Sequence, residues 1–153
     1  LYGEKVMKTV SVLFALVLAL AGCQQLPLTP EDIQARKFEA VPDKSVIYLL
    51  RDSADFSDVE AAVALDGAMR LRTYSGTYYR WEVTPGTHQI QSFGGDTAQI
   101  RVQAERGKVY FVQQRVAGRQ FAPESTFELI SESQARAVVQ RCVLLKPMRG
   151  IMN

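Results

Sequence analysis

The feature that most limits this fold is punctuation. From Ser45 onward, short runs rich in Val, Ile, Tyr, Phe and Thr alternate with turns that carry glycine, as antiparallel sheet proteins do. The runs cover 45–51, 61–65, 68–74, 77–83, 87–93, 97–104, 108–116 and 126–130. Asp66 and Gly67 stand between two alternating runs as a hairpin loop whose central residues must accept positive φ. Ser75 with Gly76 offers the same, Pro85 with Gly86 suits a type II turn, and Gly94 with Gly95 and Arg106 with Gly107 close the next two connections. Tight turns imply that strands adjacent in sequence pair in space.

The ends of the chain carry helical signals. Ser131 with Gln134 forms a capping box, after which Ala135, Val138, Val139 and Cys142 recur at i, i+3, i+4 and i+7. Thr29 is placed as an N-cap before Pro30, Glu31 and Asp32, predicting a short helix over 30–38 within a proline-containing tether. The reading is mainly β: an antiparallel β-sandwich of seven to eight strands with one C-terminal α-helix. Val46, Tyr48, Leu50, Leu71, Trp81, Ile90, Ile100, Val102, Phe111 and Val139 are its expected core. The divisions are a removed leader with an upstream extension (1–22), a lipidated N-terminus and tether (23–44), the domain (45–146) and a flexible tail (147–153).

The leader reading comes from the apolar run Val10 to Ala21, twelve residues preceded by Met7 and Lys8. Crossing a bilayer takes about 20 apolar residues, so the run fits an export signal instead. Leu20, Ala21, Gly22 and Cys23 resemble the lipobox of bacterial lipoproteins, in which the cysteine thiol is lipidated and the chain is cut before it. An ordinary signal peptide ending near a cysteine is the alternative. The lipobox implies a covalent lipid on Cys23, a palmitate-type anchor, and no other cofactor. Two or three acyl chains hold a protein on a membrane where one holds it only marginally. Gln24 stands where, in enterobacterial lipoproteins, an aspartate retains the protein in the inner membrane, so the expected address is the outer membrane, facing the periplasm. Residues 1–6 precede Met7 and are read as a start-site artefact or a non-Met initiation, outside the fold reasoning.

Cleavage before Cys23 leaves 131 residues, enough for one domain with a real core. The formal charge is +2, and removing Lys5, Lys8 and Glu4 leaves 16 basic against 15 acidic residues. That balance offers no footprint for nucleic acid. With Cys23 committed to lipid, Cys142 has no intrachain partner in an oxidising compartment.

A family resemblance spans 44–144. The strand SVIYLLR, the hairpin VALDGAMR, the segment SGTYYRWEVTPGTHQI, the strand RGKVYFVQQ and the helix after FELIS are similar to bacterial lipoproteins defined only by a domain of unknown function, number 2846. The segment from Tyr78 to Ile90, with TPGTH at its centre, also resembles PEGA-type surface domains, which are small β-sandwiches. The resemblance implies a lipoprotein address and a sandwich fold and brings no catalytic residues. The acidic stretch Asp52 to Glu60 departs from it as a longer, more charged connection.

Four candidate sites remain, each with a plain structural reading beside it. His88, the only histidine, has no second histidine, CxxC or GxSxG motif to work with, so a ring packed by the turn with one nitrogen on backbone is expected. Cys142 lies on the apolar helical stripe, where a thiol acts as a small hydrophobe, although a redox or intermolecular role stays open. Asp52, Asp55, Asp58 and Glu60 cluster as in calcium loops but lack the EF-hand spacing, so a solvated connection is expected. The fourth is a surface: if runs 68–74 and 77–83 pair across Ser75 and Gly76, then Arg70, Arg72, Tyr74, Tyr78 and Arg80 share one outer face. Arginine and tyrosine favour interfaces, and the plain reading is a solvated sheet face with Arg and Glu pairs.

The functional expectation is a non-enzymatic envelope lipoprotein acting as a binding or assembly module. Its membrane contact is the lipid anchor, and its partners are envelope proteins or peptidoglycan. Two rivals are a peptidoglycan or carbohydrate binder using Tyr74, Tyr78 and Arg80, and a thiol-dependent periplasmic enzyme using Cys142 or His88.

Overall fold

The computed structural model describes residues 27–55, 59–93, 97–119 and 122–146. The leader, Cys23 with the lipobox, the Gly94 and Gly95 turn and the tail 147–153 all lie outside the described residues. Among those described are α1 (Pro30–Ala35), β1 (Ser45–Arg51), β2 (Ala61–Leu65), β3 (Met69–Thr73), β4 (Thr77–Val83) and β5 (Gly86–Phe93). They continue with β6 (Gln99–Ala104), β7 (Val109–Arg119), β8 (Ala122–Ile130), α2 (Glu132–Val139) and β9 (Val143–Leu144). The strands form a five-stranded sheet ordered β8-β7-β1-β4-β9 and a four-stranded sheet ordered β3-β2-β5-β6. The chain is mainly β and sandwich-like, as its sequence predicts.

The architecture follows from β1. An antiparallel strand with one wet face alternates apolar and polar residues, whereas SVIYLLR is nearly continuous apolar sequence, the pattern of a strand covered on both faces. All seven of its residues are buried. β1 pairs antiparallel with β4 (Ile47 opposite Trp81) and parallel with β7 (Tyr48 opposite Phe111). Val46, Tyr48 and Leu50 pack with Phe38, Tyr78, Phe111, Ala135, Val138, Val139 and Cys142 on the helix side. Ile47 and Leu49 pack with Val63, Leu65, Trp81, Ile90, Val102 and Val112 between the sheets. The molecule therefore has three layers and two cores, with the five-stranded sheet in the middle. Of the expected core, Leu71 and Ile100 are only partly buried at the rim of the second core, while Ile47 and Leu49 were missing from the expectation.

The Asp66 turn behaves as its residues require. Asp66 and Gly67 adopt φ of 52° and 71°, and the Ala68 N–H closes the turn on the Leu65 carbonyl at 3.1 Å. The Ser75 and Gly76 turn does not behave as expected, because β3 pairs only with β2 and β4 lies in the other sheet. The Thr77 hydroxyl donates to the Tyr74 carbonyl at 2.6 Å and accepts from the Tyr74 N–H at 3.2 Å, taking the groups that a first hairpin rung would use. Ser75 Oγ donates to the Asp55 carbonyl at 2.7 Å, which ties the corner to the preceding loop.

The tether over 23–44 is also corrected, since its second half belongs to the body. Ala35 and Phe38 are buried in the helix-side core. Phe38 takes a positive φ of 58°, unusual for a bulky residue, which turns the chain out of α1 while its ring lies 4.8 Å from Tyr48 and 4.7 Å from Phe111. At the other end Ser131 and Gln134 form the expected capping box, and Ala135, Val138, Val139 and Cys142 are buried as their spacing predicts. No helix among the described residues is long and apolar enough to cross a membrane.

Candidate functional site

The five residues expected on one face are divided by the sandwich corner. Arg70, Arg72 and Tyr74 stay with the four-stranded sheet and its exit, exposed: Arg70 lies 5.6 Å from the centre of the Phe93 ring, Arg72 pairs with Glu60 at 2.8 Å, and the Tyr74 hydroxyl donates to Glu60 at 2.6 Å. Tyr78 and Arg80 belong to β4 in the other sheet. Tyr78 is 1 % exposed, so it offers no outer surface. The shared Arg and Tyr face is thus corrected to two separate groups, because β3 and β4 never pair.

Tyr78 instead completes a buried clamp. Its hydroxyl donates to Asp32 Oδ1 at 2.7 Å, Arg36 Nε reaches the same oxygen at 2.5 Å, and the Leu144 N–H donates to Oδ2 at 3.0 Å. Arg36 also donates to the carbonyls of Val139 at 2.8 Å and Cys142 at 2.6 Å, satisfying the open end of α2. Burial alone would raise the Asp32 carboxyl, but Arg36, Leu144 and Tyr78 outweigh it and hold the group below the usual carboxylate range. Burial and the Asp32 bond push the Tyr78 phenol upward. One short N-terminal helix therefore holds β4, β9 and α2 together across about a hundred residues of sequence.

The acidic stretch is a set of anchors, a correction to the solvated connection expected there. Asp52 pairs with Arg141 at 2.7 Å, Glu60 with Arg72, and Asp55 with Arg51 at 3.0 Å. Arg51 is wholly buried and also donates to the Thr73 carbonyl at 2.9 Å. Asp55 accepts the Val116 N–H at 2.8 Å. The Thr73 hydroxyl meets Gln114 Oε1 at 2.7 Å, and Gln114 Nε2 donates to Ser125 Oγ at 3.1 Å, so the polar chain continues into β7 and β8. Such a network is stable inside a protein only when its members are satisfied. Asp58 lies outside the described residues, and among those described no group of three or more His, Cys, Asp or Glu is placed to hold a metal.

His88 and Cys142 stand in different layers. The His88 ring faces the sandwich side of β5, with Nδ1 2.7 Å from Asp66 Oδ2 and Nε2 2.7 Å from the Thr84 carbonyl. Burial opposes its charge, yet the Asp66 bond, the Thr84 carbonyl and the Asp66 charge together raise its pKa. Cys142 lies in the helix-side core, 3 % exposed, and burial pushes its thiol up to about 12. A thiol so far above neutral pH is almost wholly protonated and a poor nucleophile. The five-stranded sheet separates the two side chains, so they do not form a catalytic pair.

On the helix side an open cleft of about 670 Å³ lies between α1 and the outer edge of β4, with Glu31, Gln34, Glu39, Tyr48, Arg80 and Glu82 in its walls. The Val143 and Leu145 N–H groups bond the carbonyls of Gly76 and Tyr78, so even-numbered residues of β4 turn their backbone groups outward. Among the described residues, pairing on that edge ends at Tyr78. Arg80 bonds Glu82 at 2.7 Å across the cleft floor, and Lys44 approaches Glu82 at 3.4 Å. Nothing in the sequence marked this edge, because it depends on β9 pairing parallel to β4 and stopping after two residues. No protein-family model matches the chain, and no curated protein matches it.

Proposed function

We propose that this chain is a bacterial envelope lipoprotein, acylated at Cys23 and held on the outer membrane facing the periplasm, whose body is a non-enzymatic binding or assembly module. The observation that carries the proposal is Leu20-Ala21-Gly22-Cys23 at the end of a twelve-residue apolar run too short to span a bilayer. The family resemblance, to lipoproteins with domain of unknown function 2846, implies the same address. Burial of Cys142 supports the assignment of lipid to Cys23, since a thiol in the helix-side core is out of reach of an acyl donor.

Two features support a binding role for the body. Two side chains that stood as site candidates are engaged in holding the fold, His88 through Asp66 and Tyr78 through Asp32. The outer edge of β4 faces an open cleft, and an extended segment of another envelope protein gains main-chain hydrogen bonds by adding to such an edge. The carbohydrate reading rested on Tyr74, Tyr78 and Arg80 sharing a face and has no such face to rest on.

Mass spectrometry of protein from its native host tests the anchor. The expected species begins at Cys23 and carries acyl chains, and Cys23→Ser releases the protein from membranes. A chain that begins elsewhere or carries no lipid overturns the assignment. For the body, a photo-crosslinking residue at Glu82 is expected to capture an envelope protein that the same residue at Glu124 on β8 does not. Equal capture at both positions removes the cleft as the contact.

A further inference from the structure

We infer that the start of α1 rests on the bilayer, with Leu28 and Ile33 seated at the lipid headgroups; this rests on the anchor at Cys23 proposed above. Thr29 is the first fixed point of the body, because its side chain caps α1 at the Asp32 N–H and the Asp32 and Arg36 clamp locks that helix to β4, β9 and α2. Six residues lead from Cys23 to Thr29, and a fully extended chain of that length reaches about 20–22 Å whatever its conformation. A body of this size is about 35 Å across, from a radius of gyration near 13 Å. The leash is shorter than the body, so the far pole cannot turn toward the lipid.

The pole held near the membrane carries the right chemistry. Leu28 is 42 % and Ile33 52 % exposed, two of the few large hydrophobic residues left open on the described surface. With Thr29 as the cap they occupy N′ and N4, the positions of a hydrophobic staple, which bring two apolar side chains together at a helix start. Glu31 and Lys37 flank them with opposite charges, so the contact is apolar in origin. It is expected to vary little with salt or with the anionic lipid content of the membrane.

The test uses the acylated full chain in phosphatidylcholine vesicles containing nitroxide-labelled lipid, with an environment-sensitive fluorophore at Lys37→Cys or, on the far edge strand β8, at Leu129→Cys. Quenching is expected to be several-fold stronger at position 37. Leu28→Glu with Ile33→Glu, both at exposed positions, is expected to bring it down to the level at 129 while the circular dichroism stays unchanged. Equal quenching at 37 and 129 in acylated protein, or no effect of the double substitution, overturns the inference and leaves the anchor standing. Absence of acyl chains in the mass spectrum of the same sample overturns the anchor, and this inference with it.

Discussion

The two faces of the five-stranded sheet are built from different materials. Between the sheets the core is mostly aliphatic, Ile47, Leu49, Val63, Leu65, Ile90 and Val102 around one tryptophan, with His88 at its rim. On the helix side it is aromatic, with Phe38, Tyr48, Tyr78 and Phe111 within 4.7 to 6.3 Å of one another in successive ring pairs and a buried carboxylate among them. The aliphatic core is shared between the sheets: β1, β4 and β7 supply Ile47, Leu49, Trp81 and Val112, and the four-stranded sheet, built around two hairpins, supplies Val63, Leu65, Ile90 and Val102. The aromatic core joins the two ends of the chain and depends on directional bonds to hold α1 and α2 in place. Burial alone suffices where strand pairing already fixes position; where two short helices must be placed on a sheet, hydrogen bonds donated by Arg36 and Tyr48 and accepted by Asp32 supply the register.

Phe38→Ala is the strongest way to break that contrast. It is expected to cost about 3–5 kcal/mol in chemical denaturation and to speed hydrogen exchange in α1, α2 and β9 while β5 and β6 stay protected. Equal acceleration in β5 and β6 would mean that the two cores form one cooperative unit. Leu49→Ala, on the other face of the same strand, is expected to cost about 2–5 kcal/mol and to raise exchange in both sheets, because the four-stranded sheet packs directly on that side.

Smaller effects sharpen the comparison. Tyr78→Phe removes one of three bonds to a buried carboxylate and is expected to cost about 1.5–3 kcal/mol, little altered by added salt. The Asp32 carboxyl is depressed in the folded protein, so its contribution is present above its unfolded value and lost as pH falls through the folded one. Asp32→Asn is expected to flatten that acid limb. His88 carries the opposite sign and the smallest effect. Its raised folded pKa gives stability that is full below about 6.5, the unfolded value, and lost as pH rises through the folded value. Thermal denaturation from mildly acidic to mildly alkaline pH is expected to show that decline, and His88→Gln to abolish it; a decline that survives the substitution assigns it elsewhere.

What the sequence revealed and what it hid divide along physical lines. The Asp66 turn and the Ser131 capping box were legible because each is a local arrangement in which a few residue types meet a backbone requirement. The parallel pairing of β1 with β7 has no turn to announce it, and the corner at Ser75 looks like a hairpin until Thr77 is seen holding Tyr74. The burial of both faces of β1 went unread, although Ile47 and Leu49 in SVIYLLR interrupt the alternation that a half-wet strand would keep. Of the candidate surface, only the exposure of Arg70, Arg72 and Tyr74 agrees with its reading, since face-sharing between strands is a matter of topology. The clamp and the Arg51 network were beyond reach because, beside the local Asp32–Arg36 and Arg51–Asp55 pairs, their partners lie far off along the chain, at Leu144 and Val139 for the clamp and at Thr73 for the arginine.

A central strand that comes first in the chain has a kinetic cost. Tyr48 waits for Phe111, which leaves the ribosome 63 residues later, and until then five consecutive apolar residues, Val46 to Leu50, lack one of their two neighbours. Pairings of such long separation belong to slow-folding topologies, and a bare β-prone stretch without charge or proline is a seed for aggregation. Slow, concentration-sensitive refolding is the expected signature, and a single charge inside that stretch, harmless to solubility elsewhere, would be fatal to the finished sheet.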